Sequence, residues 1–266
     1  MKEITMLGTG HAAVQMCYNT CFAIREGSEF FLVDAGGGNG ILRQLKAVGL
    51  PWNGLRGMFI THAHTDHITG AIWVVRMMQG VVRRPDYPGD FCIWCHDEVA
   101  ETLRFMCDNM LANGAFDYAG GKIKIIEVKD GESFDCFGVH FTAFDIFSTK
   151  KKQFGFRAEV DGKTLVCLGD EPYNPLCEKY ALGADLLMCE AFCMERDSER
   201  IRPHEKHHGT AREAAALAKT LGAGSLLLYH TEESDLAHRK ENYTAEAAEV
   251  FDGTIYVPDD LETIRF

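Results

Sequence analysis

Three histidines and an aspartate fall within six residues, His62, His64, Asp66 and His67, immediately after the apolar strand-like Phe59-Ile60. Four such groups beside a buried strand need a common partner, because buried imidazoles and carboxylates are costly unless paired or metal-bound. At a strand end, His62 and His64 leave the same face and can meet one cation. Asp66 and His67 then open a helical run from Ile68 to Met78, which aims them at a neighbouring point and predicts two adjacent ions. Imidazole and carboxylate donors suit zinc, with manganese or iron as alternatives. A pair of such ions about 3.5 to 4 Å apart turns water into a nucleophile near neutral pH.

With these residues the chain resembles the metallo-β-lactamase superfamily, whose H-x-H-x-D-H signature is matched by His62, His64, Asp66 and His67. It is similar in particular to the branch containing ribonuclease Z and small phosphodiesterases. The matching blocks are Leu7-Gly8-Thr9-Gly10, Phe31-Leu32-Val33-Asp34, Leu168-Gly169-Asp170, His208-Gly209-Thr210-Ala211 and Leu226-Leu227-Leu228-Tyr229-His230. The resemblance implies an α/β fold, a four-layer αββα sandwich formed by residues 1–266 as one domain. It implies that Asp170 bridges both metals and that His230 binds the second. It also implies that His208 donates a proton while Glu190 orients it, with the adjacent His207 as the competing assignment.

One position of that pattern is absent. Where relatives carry a histidine completing the first metal's shell, this chain reads Asp145-Ile146-Phe147-Ser148-Thr149, with Phe147 at the ligand position. Phenylalanine cannot ligate, which leaves His62, His64 and Asp170 for the first ion, with Asp145, Ser148 or water as substitutes. A bulged or slipped strand bringing in His140 is the alternative. The second site, from Asp66, His67, Asp170 and His230, is whole.

The rest of the chain reads as a scaffold for this site. Ile4–Leu7, Thr20–Arg25 and Phe30–Val33 are predicted strands, with Glu26-Gly27-Ser28 as a hairpin turn. A helix is expected over Ile41–Val48, a strand at Phe91–Trp94 and a helix from Asp97 to Leu111. A β-rich middle then runs from Lys122 to Leu168, and the last third alternates strand and helix. Thr210-Ala211-Arg212-Glu213 is a capping box, which places His208 just before a helix N-terminus. Gly8-Thr9-Gly10 imitates a dinucleotide fingerprint, but two strands joined by a tight turn follow it, where that motif needs a helix. Cys92-Ile93-Trp94-Cys95-His96 imitates a haem-attachment motif and is read as a buried strand entering a helix.

With 46% hydrophobic residues among 266, the chain can bury a large core. Ten cysteines without a secretory leader point to a reducing, cytoplasmic compartment. No apolar stretch is long enough to span a membrane. A formal charge of -12 opposes general nucleic-acid binding, since phosphate contacts depend on Lys and Arg. Lys150-Lys151-Lys152 and Arg83-Arg84 are the local basic candidates. The expectation is a metal-dependent hydrolase, a phosphodiesterase acting on a small anionic substrate, with a homodimer as the expected assembly. One alternative is a tRNA 3′-end endonuclease, against which stands the lack of a Gly- and basic-rich arm between Asp170 and His208. The other, suggested by Phe147, is a catalytically weakened metal- or ligand-binding protein.

Overall fold

The computed structural model describes residues 1–111, 116 and 120–266. Gly27, at φ +60°, turns the chain back on itself and pairs β2 (Cys21–Glu26) antiparallel with β3 (Glu29–Val33), Phe22 opposite Val33. β1 (Glu3–Gly8) flanks β2, while β4 (Leu55–Ile60), β5 (Phe91–Cys95) and β6 (Ile123–Glu127) continue the sheet in parallel beyond β3. The second sheet begins with antiparallel β7 (Ser133–Cys136), β8 (Val139–Asp145), β9 (Phe154–Val160) and β10 (Lys163–Cys167). It continues in parallel through β11 (Leu186–Glu190), β12 (Ser225–Tyr229) and β13 (Thr254–Tyr256). The short β14 (Thr263–Ile264) returns to the first sheet beside β1.

Side-chain alternation decides which face of each strand is inside. Phe31 and Val33 point between the sheets with Phe22, Phe59, Trp94, Phe141 and Phe156, whereas Phe30 and Leu32 point outward. The outward face of the first sheet is covered by α1 (Gly40–Ala47), α3 (Ala71–Val81) and α4 (Asp97–Met110), through residues such as Leu45, Val75, Met78 and Leu103. Over the second sheet, Ala211, Ala214, Ala215 and Ala218 of α5 (Ala211–Thr220) and Tyr243 and Ala247 of α6 (Arg239–Ala248) pack on Val166, Leu187 and Leu228. The layers are therefore αββα, as expected. The Thr210–Glu213 capping box is present in full.

The helix expected to run unbroken to Met78 is in fact two. α2 (Thr65–Ile68) ends and α3 starts again after Gly70. The cause is a close approach: a Cβ on Gly70 would lie 1.9 Å from the Ala35 carbonyl oxygen. Gly70 N donates to Gly36 O at 2.8 Å and Ala35 N to His67 O at 3.0 Å, which ties the histidine loop to the end of β3. No helix among the described residues is long and apolar enough to cross a membrane.

Candidate metal centre

Parallel strands from both sheets end at one place. Asp34 follows β3, the His62–His67 loop follows β4, Asp170 follows β10, Glu190 closes β11 and His230 follows β12. Asp34 and His230 adopt left-handed backbone conformations, φ +55° and +58°, a strain characteristic of functional sites.

Asp34 fixes the orientation of His67. Its Oδ2 lies 2.7 Å from His67 Nδ1 and accepts Thr61 Oγ1 at 2.8 Å, while its Oδ1 accepts the Thr61 amide at 2.8 Å. Because an ionised carboxylate only accepts, His67 Nδ1 carries hydrogen and Nε2 is turned the other way. That Nε2 is buried without a hydrogen-bond partner, 3.4 Å from Asp66 Oδ2 and 3.5 Å from Asp170 Oδ2. His230 Nε2 faces the same point, 3.4 Å from Asp66 Oδ2 and 3.5 Å from Asp170 Oδ2. His62 Nε2 also reaches Asp170 Oδ2, at 3.4 Å.

The charges in this knot are strongly coupled. Burial alone would raise the Asp170 carboxyl, but His62, His67 and His230 hold it well below the carboxylate range. Asp66 is likewise lowered, with His67 and His230 overcoming its burial. Burial opposes charge on His67, yet Asp34 and Asp66 hold its imidazole well above the usual value. An unpartnered buried ring nitrogen surrounded by two carboxylates and a second imidazole is a donor set that fits a divalent cation. Ligand atoms lying within 4.8 Å of one another group as His62–His67–Asp170, Asp66–His67–His230 and Glu190–His208–His230.

His208 and Glu190 stand beside this knot. His208 Nδ1 is 3.6 Å from Glu190 Oε2, and the ring stacks on Phe192 at 4.7 Å, with its centre 5.1 Å from that of His230. Glu190 accepts the amides of Gly209, at 2.5 Å, and Phe192, at 3.1 Å. Burial pushes Glu190 up to about 8 and His208 down to about 4. His207 is exposed at φ +60° and turns away, its Nδ1 2.7 Å from Thr149 Oγ1. Of the two neighbouring histidines, His208 faces the cluster.

The side chains suggested as substitutes for the missing ligand have partners elsewhere. Asp145 Oδ1 accepts the Phe147 amide, Ser148 Oγ donates to Glu171 at 2.6 Å, and exposed His140 pairs with Asp135 at the far end of β8. Phe147 itself turns outward at φ +57° and is 40% exposed. The side chain that occupies the ground beside Asp170 is Gln153, fully buried and bridged across the strands to His62. Sequence reasoning passed over it because its position depends on the register of β9 against the end of β4.

His64 Nδ1 is 2.9 Å from His62 Nε2, and His64 stands outside the three-residue clusters of the described chain. His11 lies with its ring centre 4.6 Å from Phe192 and 6.4 Å from His230. Its position after the Gly8-Thr9-Gly10 turn was the available signal. A cleft of about 520 Å³ opens over the cluster, lined by His11, His64, Asp66, His208, Lys150 and Lys206 among others. Lys150 Nζ donates to Lys206 O at 3.2 Å, and Lys206 Nζ lies 5.0 Å from the Phe192 ring centre. Lys151 and Lys152 instead pair with Glu98 and Asp97. All ten cysteines are free thiols, those of the Cys92–His96 stretch included.

Residues 30–231 match the model of the beta-lactamase superfamily domain. The chain is 29% identical over its whole length to a Ribonuclease Z from Mycobacterium marinum, of which it covers 99%. Among solved structures it resembles the metallo-beta-lactamase fold protein YhfI from Bacillus subtilis, with a TM-score of 0.77, 20% identity and full coverage of both chains. It also resembles a diphosphatase from the PhnP family, with a TM-score of 0.73 and 16% identity over 100% of this chain and 98% of that one. The two structural likenesses speak for the fold.

Proposed function

We propose that this chain, which belongs to the beta-lactamase superfamily, is a metal-dependent hydrolase acting on phosphodiester bonds of small anionic substrates. The observation that carries this reading is that His67 Nε2 and His230 Nε2 each face both Asp66 Oδ2, at 3.4 Å, and Asp170 Oδ2, at 3.5 Å, with the His208–Glu190 pair on the wall beside them. Those four residues would hold a divalent ion, with zinc best suited to the mixed imidazole and carboxylate donors and manganese or iron also accepted. When bound, such an ion would act as a Lewis acid on the phosphoryl oxygen and lower the pKa of water.

The chain's own groups supply the rest. Asp66 faces the cleft and accepts hydrogen from the attacking water, orienting it toward phosphorus. Lys150 and Lys206 draw the phosphate into the cleft and offset its charge. At neutral pH, burial keeps a proton on Glu190 and leaves His208 neutral. His208 then gives a proton to the leaving oxygen, and Glu190, 3.6 Å from its Nδ1, replaces it. Hydrolysis of a generic chromogenic phosphodiester by the parent and by Asp170→Ala tests the assignment. The variant should lose both metal and turnover, and equal rates would sink this reading.

A second reading, tRNA 3′-end processing, is favoured by the full-length similarity to a protein named Ribonuclease Z. Against it stand the net charge of -12 and the stretch from Asp170 to His208, which folds into β11 and short helical turns rather than a basic arm. Single-site cleavage of a precursor tRNA with steep salt dependence would establish it over the small-substrate reading.

A further inference from the structure

Gln153 grips Asp170 at two points. Asp170 N donates to Gln153 Oε1 at 2.9 Å, and Gln153 Nε2 donates to Asp170 Oδ1. A backbone N–H can only donate, so the first bond fixes which end of the amide faces which group, and the nitrogen must face the carboxylate. An amide nitrogen in that position offers no lone pair to a cation. Gly169, at φ +79°, makes room for this arrangement, since a Cβ there would lie 2.3 Å from Gln153 Oε1.

The consequence falls on the side of Asp170 that faces His62. Gln153 lies directly across an antiparallel bridge from His62. Asp170 Oδ1 is committed to the amide, so its one remaining oxygen, Oδ2, is shared by His62, at 3.4 Å, and by His67 and His230, each at 3.5 Å. The first position is thus offered only that shared oxygen of Asp170, and His62 Nε2 also lies 2.9 Å from His64 Nδ1.

We infer that Gln153 closes the first metal position, so that the chain takes up one ion tightly, at Asp66, His67, Asp170 and His230, rather than two. The inference rests on the reading of those four residues as ligands. Gln153 also aims Asp170 Oδ2 at that ion, which makes it a positioning residue for the site that remains.

The test is a titration of metal-stripped protein with Co²⁺, followed by its visible absorption, together with elemental analysis of protein purified without chelator. The parent should saturate at one equivalent and retain close to one ion per chain. Gln153→Glu, nearly isosteric but able to ligate, should saturate at two. Two equivalents of similar affinity in the parent would overturn the inference, as would a folded Gln153→Glu that stops at one. If Gln153→Glu does not fold, the parent's own stoichiometry still decides. Because stoichiometry is read without turnover, a protein that takes up one ion but cleaves no phosphodiester would refute the proposed activity and leave this inference standing.

Discussion

His67 Nδ1 lies 2.7 Å from Asp34 Oδ2, so the aspartate at the end of β3 sets the direction in which a histidine on α2 presents its other nitrogen. Replacing Asp34 with Asn keeps a residue that tolerates the left-handed backbone but weakens the hold on the ring. Metal affinity should fall about 10- to 100-fold in Asp34→Asn with the fold intact. Competition against a chelating dye would measure it, and parental affinity would show that His67 does not need this partner.

In the metal-free protein His67 is held protonated by Asp34 and Asp66 despite its burial. A cation must displace that proton, so its uptake at pH 7 should release about one proton per ion, and affinity should fall as pH falls. Calorimetry in buffers of different ionisation enthalpy reads the release directly. Heats independent of buffer would contradict the assignment of His67 as a ligand.

Glu190, raised by burial to about 8, holds its proton below that pH and loses it above. Turnover should therefore decline as pH rises through about 8. His208→Ala should lower kcat by about 10²- to 10⁴-fold with metal content unchanged. Glu190→Gln should lower kcat less and flatten the alkaline limb, and an unaltered limb in that variant would assign it to another group.

Lys150 and Lys206 reach the cleft from two different loops. Lys150→Ala and Lys206→Ala should each raise KM for an anionic substrate about 10-fold, which corresponds to about 1.4 kcal/mol, with kcat little changed. The parent's KM should climb with salt more steeply than that of either variant. If kcat falls and KM holds, the lysines act in the chemical step instead.

The αββα layering was readable because period-two alternation, as in Phe30 to Val33, and the short turn at Gly27 are local signals. The ligand loop was readable for the same reason, its spacing being set by one strand end. What escaped was non-local. Gln153 becomes important only because β9 begins opposite the end of β4, where Phe154 N donates to Thr61 O at 2.9 Å. His11 reaches the cleft only because its amide bonds Thr231 O at 3.2 Å, joining loops from opposite ends of the chain. The helix break at Gly70 depends on contact with Ala35, which no helical periodicity records.

The most direct test of a metal-dependent phosphodiester hydrolase is the rate of chromogenic phosphodiester hydrolysis by metal-stripped protein as Zn²⁺ is returned stepwise. Turnover should be absent at the start, rise in proportion to occupancy and be missing from His230→Ala carried through the same series. Hydrolysis by the stripped protein at the full rate, or equal rates in parent and His230→Ala, would contradict it.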